Sequence, residues 1–273
     1  MDRKQLEIQA EDLVRRVSEG CTSQYYGSWT LSVYDSAWLA MLQKPNGSWL
    51  FPESFEYVLR EQQSGSGWHG YACEIDAILN TMAALLAVER HRVDASIYSE
   101  HKTDLDERKE QGLSYLRDAL STWNVHTCMH VGFEILVPAL LKMLQETGMT
   151  LDFPGKSVLM ALNAQKMKHF RPEMLYSRHQ ATALHSLEAF IEVVDFTKVQ
   201  HHLVNGSMLG SPSSTAAYLM NTTTWDSEAE QYLKDSVNYG GGEGLGGVPS
   251  AFPCENFEFT WVRSCHITLG SNC

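Results

Sequence analysis

One segment of this 273-residue chain repeats apolar side chains at intervals of three and four residues. Between residues 74 and 91 these side chains are Ile75, Ile78, Leu79, Met82, Leu85 and Leu86. The spacing places them on one face of an α-helix and predicts a buried helix there. Comparable patterns predict shorter helices over 112–122, 133–145, 181–194, 212–220 and 226–239. No segment alternates apolar and polar residues as a half-buried strand would, which indicates an all-α fold.

Local signals divide the helical segments. Asp226 is a good N-cap for the helix predicted over 226–239, and the glycines that begin at Gly240 end it. Pro138 lies inside an apolar helical pattern and predicts a break or a kink. Residues 94–111 are charged and rich in turn formers, and predict an exposed connection.

Composition excludes several classes of protein. The formal net charge is −12, and no cluster of Lys and Arg offers a nucleic-acid surface. No apolar stretch approaches the ~18 residues of a membrane span. The charged start, Met-Asp-Arg-Lys-Gln, does not resemble a secretory signal. The six cysteines are scattered without a Cys-x-x-Cys motif, which favours reduced thiols and a cytoplasmic protein.

Several blocks, taken in order, carry a family resemblance. They are Ser32–Trp38 (Ser-Val-Tyr-Asp-Ser-Ala-Trp), Gln62–Trp68, Val131–Pro138 (Val-Gly-Phe-Glu-Ile-Leu-Val-Pro), Leu184–Glu188 (Leu-His-Ser-Leu-Glu), Gly210–Tyr218 and Gly246–Pro253. Together they resemble the N-terminal part of class II diterpene cyclases, the copalyl diphosphate synthase/ent-kaurene synthase family. The residue choices are closer to its fungal than to its plant members.

The resemblance implies a domain organisation. Residues 1–44 would hold N-terminal helices, including the first helix of a β domain, and residues 45–262 a γ domain shaped as an α-helical barrel. Residues 263–273 are polar and lack periodicity. We expect them to be an aberrant tail, from an unspliced intron or a frameshift, while a frayed natural terminus is the alternative.

The resemblance also implies a reaction, the protonation-initiated cyclisation of geranylgeranyl diphosphate to a copalyl-type diphosphate. Because an alkene is a very weak base, members use a strong acid from an Asp-x-Asp-Asp motif of the β domain. The sequence contains no such motif, and the nearest string, 104–107, fits a solvated loop. We therefore expect a truncated chain that is inactive alone and needs a β domain in cis or in trans. Many family members also carry a class I domain, which ionises the product.

The same resemblance suggests a base. In plant members a His and an Asn of the γ domain hold a water that takes the final proton, and these positions match His185 and Ser250. A neutral imidazole can accept a proton, and a hydroxyl can hold water with fewer donors than an amide. A histidine that simply packs on a helix face fits His185 as well.

Diphosphate binding is assigned more loosely. Family members place a basic residue shortly before the histidine, where this chain has Lys166, Lys168 and Arg171. A basic surface loop fits these residues equally well.

The parent enzyme is expected to use Mg²⁺, but the sequence shows no site for it. The stretch 123–130, which corresponds to the Mg²⁺-binding stretch of some plant members, has no carboxylate. In it His126, Cys128 and His130 alternate, but they match no established zinc spacing, which favours packing.

Two other interpretations stay open. The chain fits a non-catalytic helical module that binds prenyl diphosphate or pairs with a separately encoded β domain. It also fits a pseudogene product with exposed apolar surface that aggregates.

Overall fold

The computed structural model describes residues 3–20, 29–70, 73–94, 102–255, 257, 258 and 260. The expected tail at 263–273 lies outside these residues. The α-helices are α1 (Arg3–Gly20), α2 (Val33–Ala40), α3 (Pro52–Glu61), α4 (Glu74–Val93), α5 (Lys102–Thr122), α6 (Phe133–Glu146), α7 (Lys156–Met167), α8 (Pro212–Asn221) and α9 (Ser227–Tyr239). The described part of the chain is therefore overwhelmingly helical, which confirms the predicted all-α class. Within it, no helix is both long enough and apolar enough to cross a membrane.

Short elements complete the fold. The described residues also form 3-10 segments at Val125–Thr127, Pro172–Leu175, Thr182–Phe190, Phe196–Lys198 and Gln200–His202. Two-residue strands, β1 (Leu31–Ser32) and β2 (Val248–Pro249), pair antiparallel. This ribbon joins the start of α2 to the glycine-rich loop near residue 250, two regions far apart in sequence.

Helix α4 lies at the centre of the core, and the prediction of a buried helix there is confirmed. It packs against α2, α3, α5 and α6. Its buried residues include alanines as well as large apolar side chains, so it is covered on nearly all sides. The small alanine side chains allow neighbouring helices to approach closely.

Helix α2 is buried almost throughout and packs against α3, α4 and α8. Its N-cap is Ser32, whose hydroxyl accepts a hydrogen bond from the Asp35 backbone N–H at 3.2 Å. Its side chains belong to the same hydrophobic cluster as those of the helices that follow. The predicted boundary at residue 44 stays a prediction, and α2 shares one core with the region beyond it.

The prediction of a connection over 94–111 is wrong for its second part, because α5 begins at Lys102. Leu105 is buried, and it anchors the first turn of α5 to the core. Asp104 pairs with Arg108 one turn later at 2.8 Å, which stabilises the exposed face. The acidic side chains of the string at 104–107 are therefore exposed, as predicted, but they lie on a helix and not in a loop.

The helix predicted over 181–194 is also corrected. Residues Thr182–Phe190 form a 3-10 segment with a kink at Ser186, where φ is −135° and ψ is 42°. The Leu187 backbone N–H accordingly donates to the Ser214 hydroxyl at 2.9 Å instead of to its own helix. A tertiary hydrogen bond thus replaces a helical one, which local periodicity does not reveal.

Pro138 does not break α6, which runs through it to Glu146. A proline lacks the N–H that would bond the carbonyl four residues earlier, here that of Glu134. The Asn163 side-chain amide of α7 donates to this carbonyl at 2.8 Å. The neighbouring helix therefore satisfies the acceptor that the proline leaves open.

The predicted limits of the last long helix are confirmed. Asp226 Oδ1 accepts hydrogen bonds from the backbone N–H groups of Glu228 and Ala229, both at 3.1 Å. The helix ends at Tyr239, directly before the glycines.

Candidate functional site

A cavity of about 440 Å³ lies among the start of α2, the first turns of α4, the Thr182–Phe190 segment and the loop after β2. The lining combines apolar side chains such as Leu79 and Leu136 with several polar groups. His185 and Ser250, which are predicted to act together as the catalytic base, both line it. The fold therefore brings together two positions that are 65 residues apart in the sequence.

The His185 side chain is exposed, and one of its ring nitrogens makes a hydrogen bond to the backbone. Its Nδ1 lies 3.3 Å from the backbone oxygen of Leu209. Because a carbonyl oxygen only accepts, this contact places the proton on Nδ1 and leaves the lone pair on Nε2. Leu209 itself has a φ of 50°, an uncommon conformation for a branched residue. Such strain is often found at functional sites.

The loop that carries Ser250 is fixed from both sides. The Val248 backbone N–H donates to the Ser36 hydroxyl at 3.0 Å, and the Phe252 N–H donates to the Gly210 oxygen at 2.8 Å. Gly246 has a φ of +92°, and a Cβ there would lie 1.9 Å from the Glu53 oxygen. Only glycine fits this approach to α3, so the loop geometry depends on it.

Two carboxyl groups are buried beside the cavity. Glu188 is 2% exposed and accepts hydrogen bonds from the Tyr34 hydroxyl at 3.0 Å and the Ser214 hydroxyl at 2.8 Å. Asp35 is 3% exposed and accepts from the Ser213 backbone N–H at 3.2 Å and the Ser32 hydroxyl at 2.7 Å. These hydroxyls and amides replace the water that the carboxyl groups lose on burial.

Burial changes the protonation of this pair. It raises the pKa of Glu188 from 4.5 to about 7, and the negative charge of Asp35 adds to the effect. Burial also raises the pKa of Asp35, although its hydrogen bonds and nearby His185 oppose the shift. Glu188 thus titrates near neutral pH, where a group can take or give a proton.

The sequence did not reveal this network as a site. Tyr34, Asp35 and Glu188 belong to the blocks that carried the family resemblance, but within these blocks only His185 and Ser250 were given a role. Their burial was not visible in the sequence, because Asp and Glu are usually exposed.

The basic residues predicted to hold diphosphate lie elsewhere. Lys166, at the end of α7, forms an ion pair with Glu134 at 2.9 Å. Arg171 donates to the backbone oxygens of Lys168 and Phe170, each at 2.9 Å. None of these three basic residues is among those that line the cavity of His185.

A second, larger cavity of about 850 Å³ lies among α4, α6, α7 and the residues after Phe190. Its lining is mostly apolar and includes Trp38, Leu141 and Met160. Met167, at the end of α7, also lines it. The predicted site residues do not line this second cavity.

The residues near the cavity do not fit Mg²⁺. Cys73, Asp76 and His130 are the described His, Cys, Asp or Glu side chains that converge closely enough to hold an ion. They supply one carboxylate, one imidazole and one thiol, whereas Mg²⁺ prefers oxygen ligands in an octahedron. No step of the chemistry is therefore assigned to Mg²⁺ on these residues.

Comparison with known proteins identifies relatives, although no family model matches the chain. The chain is 44% identical to phyllocladan-16-alpha-ol synthase of Phomopsis amygdali, over 98% of its own length and 28% of that protein's. It is 43% identical to copalyl diphosphate synthase of Talaromyces verruculosus, over 99% and 29% of the two lengths. The chain thus spans less than a third of the length of these relatives.

Solved structures agree with the fold. Abietadiene synthase from Abies grandis matches with a TM-score of 0.72 and 28% identity, over 92% of this chain and 32% of that chain. Ent-copalyl diphosphate synthase from Arabidopsis thaliana matches with a TM-score of 0.71 and 26% identity, over 91% and 34%. By sequence and by fold, the chain belongs to the family of class II diterpene cyclases that includes the copalyl diphosphate and ent-kaurene synthases.

Proposed function

We propose that this chain forms the γ-domain wall of a class II active site, and that His185 with Ser250 holds the water that removes the final proton. The parent reaction is the cyclisation of geranylgeranyl diphosphate to a copalyl-type diphosphate. The observation that carries the proposal is the contact of His185 Nδ1 with the Leu209 carbonyl. It leaves Nε2 as the proton acceptor of a residue that shares a cavity with Ser250.

The chain would therefore supply the base for the final deprotonation, but not the acid for the first protonation. The sequence contains no Asp-x-Asp-Asp motif, so protonation of the alkene requires a β domain in cis or in trans. A serine hydroxyl can donate one hydrogen bond to a water, whereas the family's amide can donate two. Ser250 therefore holds the water less rigidly, and His185 carries more of the deprotonation.

We propose in addition that Lys166, Lys168 and Arg171 bind the diphosphate of the substrate. Lys168 and Arg171 keep exposed charges near the end of α7, and Lys166 becomes available only if its pair with Glu134 opens. Mg²⁺ would accompany the diphosphate in the parent enzyme and would neutralise part of its charge.

The test combines this chain with an Asp-x-Asp-Asp-bearing β domain. The chain replaces the matching segment of the Talaromyces relative, and the product formed from geranylgeranyl diphosphate with Mg²⁺ is analysed by mass spectrometry after dephosphorylation. We expect a copalyl-type product from the chimera and no product from the chain alone. His185→Ala should lower its formation by about 10²–10⁴-fold, the usual contribution of a general base.

His201→Ala is the matched control, because His201 is also exposed and also bonds a backbone oxygen, that of Ser177 at 2.9 Å. It should leave the rate and the product unchanged. Ser250→Asn should retain or increase product formation. Unchanged rate and product in His185→Ala, within an active chimera, would show that this histidine is not the base.

A further inference from the structure

Three different ligand types converge at the rim of the smaller cavity. Cys73 directly precedes α4, Asp76 lies in its first turn, and His130 lies shortly before α6. One potential ligand atom of each lies within 4.8 Å of the other two. Asp76 and His130 also line the cavity that holds His185. The cluster therefore joins two elements beside the candidate active site.

The spacing of two of these atoms already suits a metal ion. Asp76 Oδ1 lies 3.4 Å from His130 Nδ1. Zinc bonds to nitrogen and oxygen of about 2.0–2.1 Å at a tetrahedral angle would separate the two atoms by about 3.4 Å. The other carboxylate oxygen, Oδ2, accepts a hydrogen bond from the Cys73 backbone N–H at 3.2 Å. This bond orients Asp76 and keeps Oδ1 directed at the imidazole.

The Cys73 thiol completes the donor set. Cys73 is exposed and can close on an ion by a shift of its side chain. A sulfur, an imidazole and a carboxylate are typical donors for zinc, and water can take the fourth position of such a site.

We propose that Cys73, Asp76 and His130 bind a divalent ion of the zinc class. The ion would link the N-terminus of α4 to the segment before α6 and place a positive charge at the cavity rim. Sulfur and imidazole ligands select such an ion over Mg²⁺. This site does not depend on the role of His185. The spacing of His126, Cys128 and His130 did not reveal it, because two of its ligands come from another helix.

The test titrates Zn²⁺ into the metal-free full chain by isothermal calorimetry under reducing conditions. We expect saturable binding of one ion, and a Co²⁺ derivative with the near-ultraviolet absorption of a thiolate–cobalt bond. Cys73→Ser, Asp76→Asn and His130→Ala should each weaken Zn²⁺ binding by about tenfold or more. Asp76→Asn is conservative because an amide oxygen can still accept from the Cys73 N–H.

His126→Ala is the matched control, an exposed histidine four residues from His130, and it should leave the affinity within about twofold. Circular dichroism of each variant checks that the helices persist. Zn²⁺ affinity that survives in all three ligand variants would assign the metal to other side chains and overturn the site. Equal affinity for Mg²⁺, or no Zn²⁺ binding by the folded chain, would overturn it as well.

Discussion

Two regions of this molecule bury a titratable side chain in very different surroundings. Near the centre of the core, the ring of His91 lies between Phe55 and Trp49, with centroid distances of 3.6 and 3.8 Å. Beside the cavity, Glu188 is surrounded by hydroxyl donors. The first region is an aromatic stack with a polar tip, whereas the second is a hydrogen-bonded network that retains a titratable carboxyl group.

The difference appears in the pKa values. Burial lowers the pKa of His91 from 6.5 to about 4, so the ring is neutral at physiological pH, with Nε2 2.8 Å from the Ala40 oxygen. Burial raises the pKa of Glu188 from 4.5 to about 7. A neutral histidine with a fixed hydrogen bond serves structure. A carboxyl group that titrates near pH 7 at a cavity wall is suited to chemistry.

The two groups have opposite effects on stability as the pH changes. A lowered histidine pKa contributes stability that is present above pH 6.5 and lost as the pH falls through about 4. A raised glutamate pKa contributes stability that is present below pH 4.5 and lost as the pH rises through about 7. Each shift corresponds to about 3 kcal/mol, so the two largely cancel between pH 4.5 and 6.5.

The largest expected effect comes from removing the aromatic stack with His91→Gln. At pH 7 the free energy of unfolding should fall by about 2–4 kcal/mol, because the substitution removes two ring contacts and leaves space in the core. The variant should also lack the decrease in stability that His91 causes below pH 6.5. The effect of Glu188 then remains alone, so the free energy of unfolding should decline from pH 4.5 to 7. Urea denaturation at several pH values measures both.

His201→Gln is the control, since this exposed histidine makes a comparable bond to a backbone oxygen. It should change stability by less than about 0.5 kcal/mol. An unchanged pH profile in His91→Gln would contradict a neutral buried ring.

The next effect concerns the carboxyl network. The side chain of Glu188→Gln cannot ionise, so this variant should not show the loss of about 3 kcal/mol that the wild type shows between pH 4.5 and 7. Altered hydrogen bonds should add an offset that is the same at every pH. The exposed Glu173→Gln should not change the slope. Parallel profiles for Glu188→Gln and wild type would mean that Glu188 titrates normally despite its burial.

The smallest expected effect tests the hydroxyl groups that donate hydrogen bonds to Glu188. Ser214→Ala leaves the Leu187 N–H without its acceptor and removes one donor from Glu188, at a cost of about 1–3 kcal/mol. Loss of this donor should also raise the pKa of Glu188 further and move the pH transition upward. Ser121→Ala, an exposed serine on α5, should do neither. A transition that stays in place would show that this hydroxyl does not set the pKa.

Several features of the fold could be predicted from local sequence. The spacing of apolar residues in α4 predicts its burial, and Asp226 with Gly240 predicts both ends of α9. The ordered blocks identified the family and placed His185 and Ser250 in one candidate site. Each of these rests on short-range patterns, which depend on helix geometry and on side-chain chemistry alone.

Tertiary structure decided what depends on distant partners. Ser214 breaks the helix expected at Ser186, Asn163 allows α6 to pass Pro138, and hydroxyl groups keep Glu188 buried. The same is true of Cys73 and His130, which directly or shortly precede α4 and α6 and lie close together where these two helices pack. A hydrogen bond or a pKa depends on atoms from separate parts of the chain, so periodicity within one segment does not determine it. The sequence by itself therefore determined the buried helix α4, the limits of α9 and the family, and packing determined the protonation and the contacts of the site.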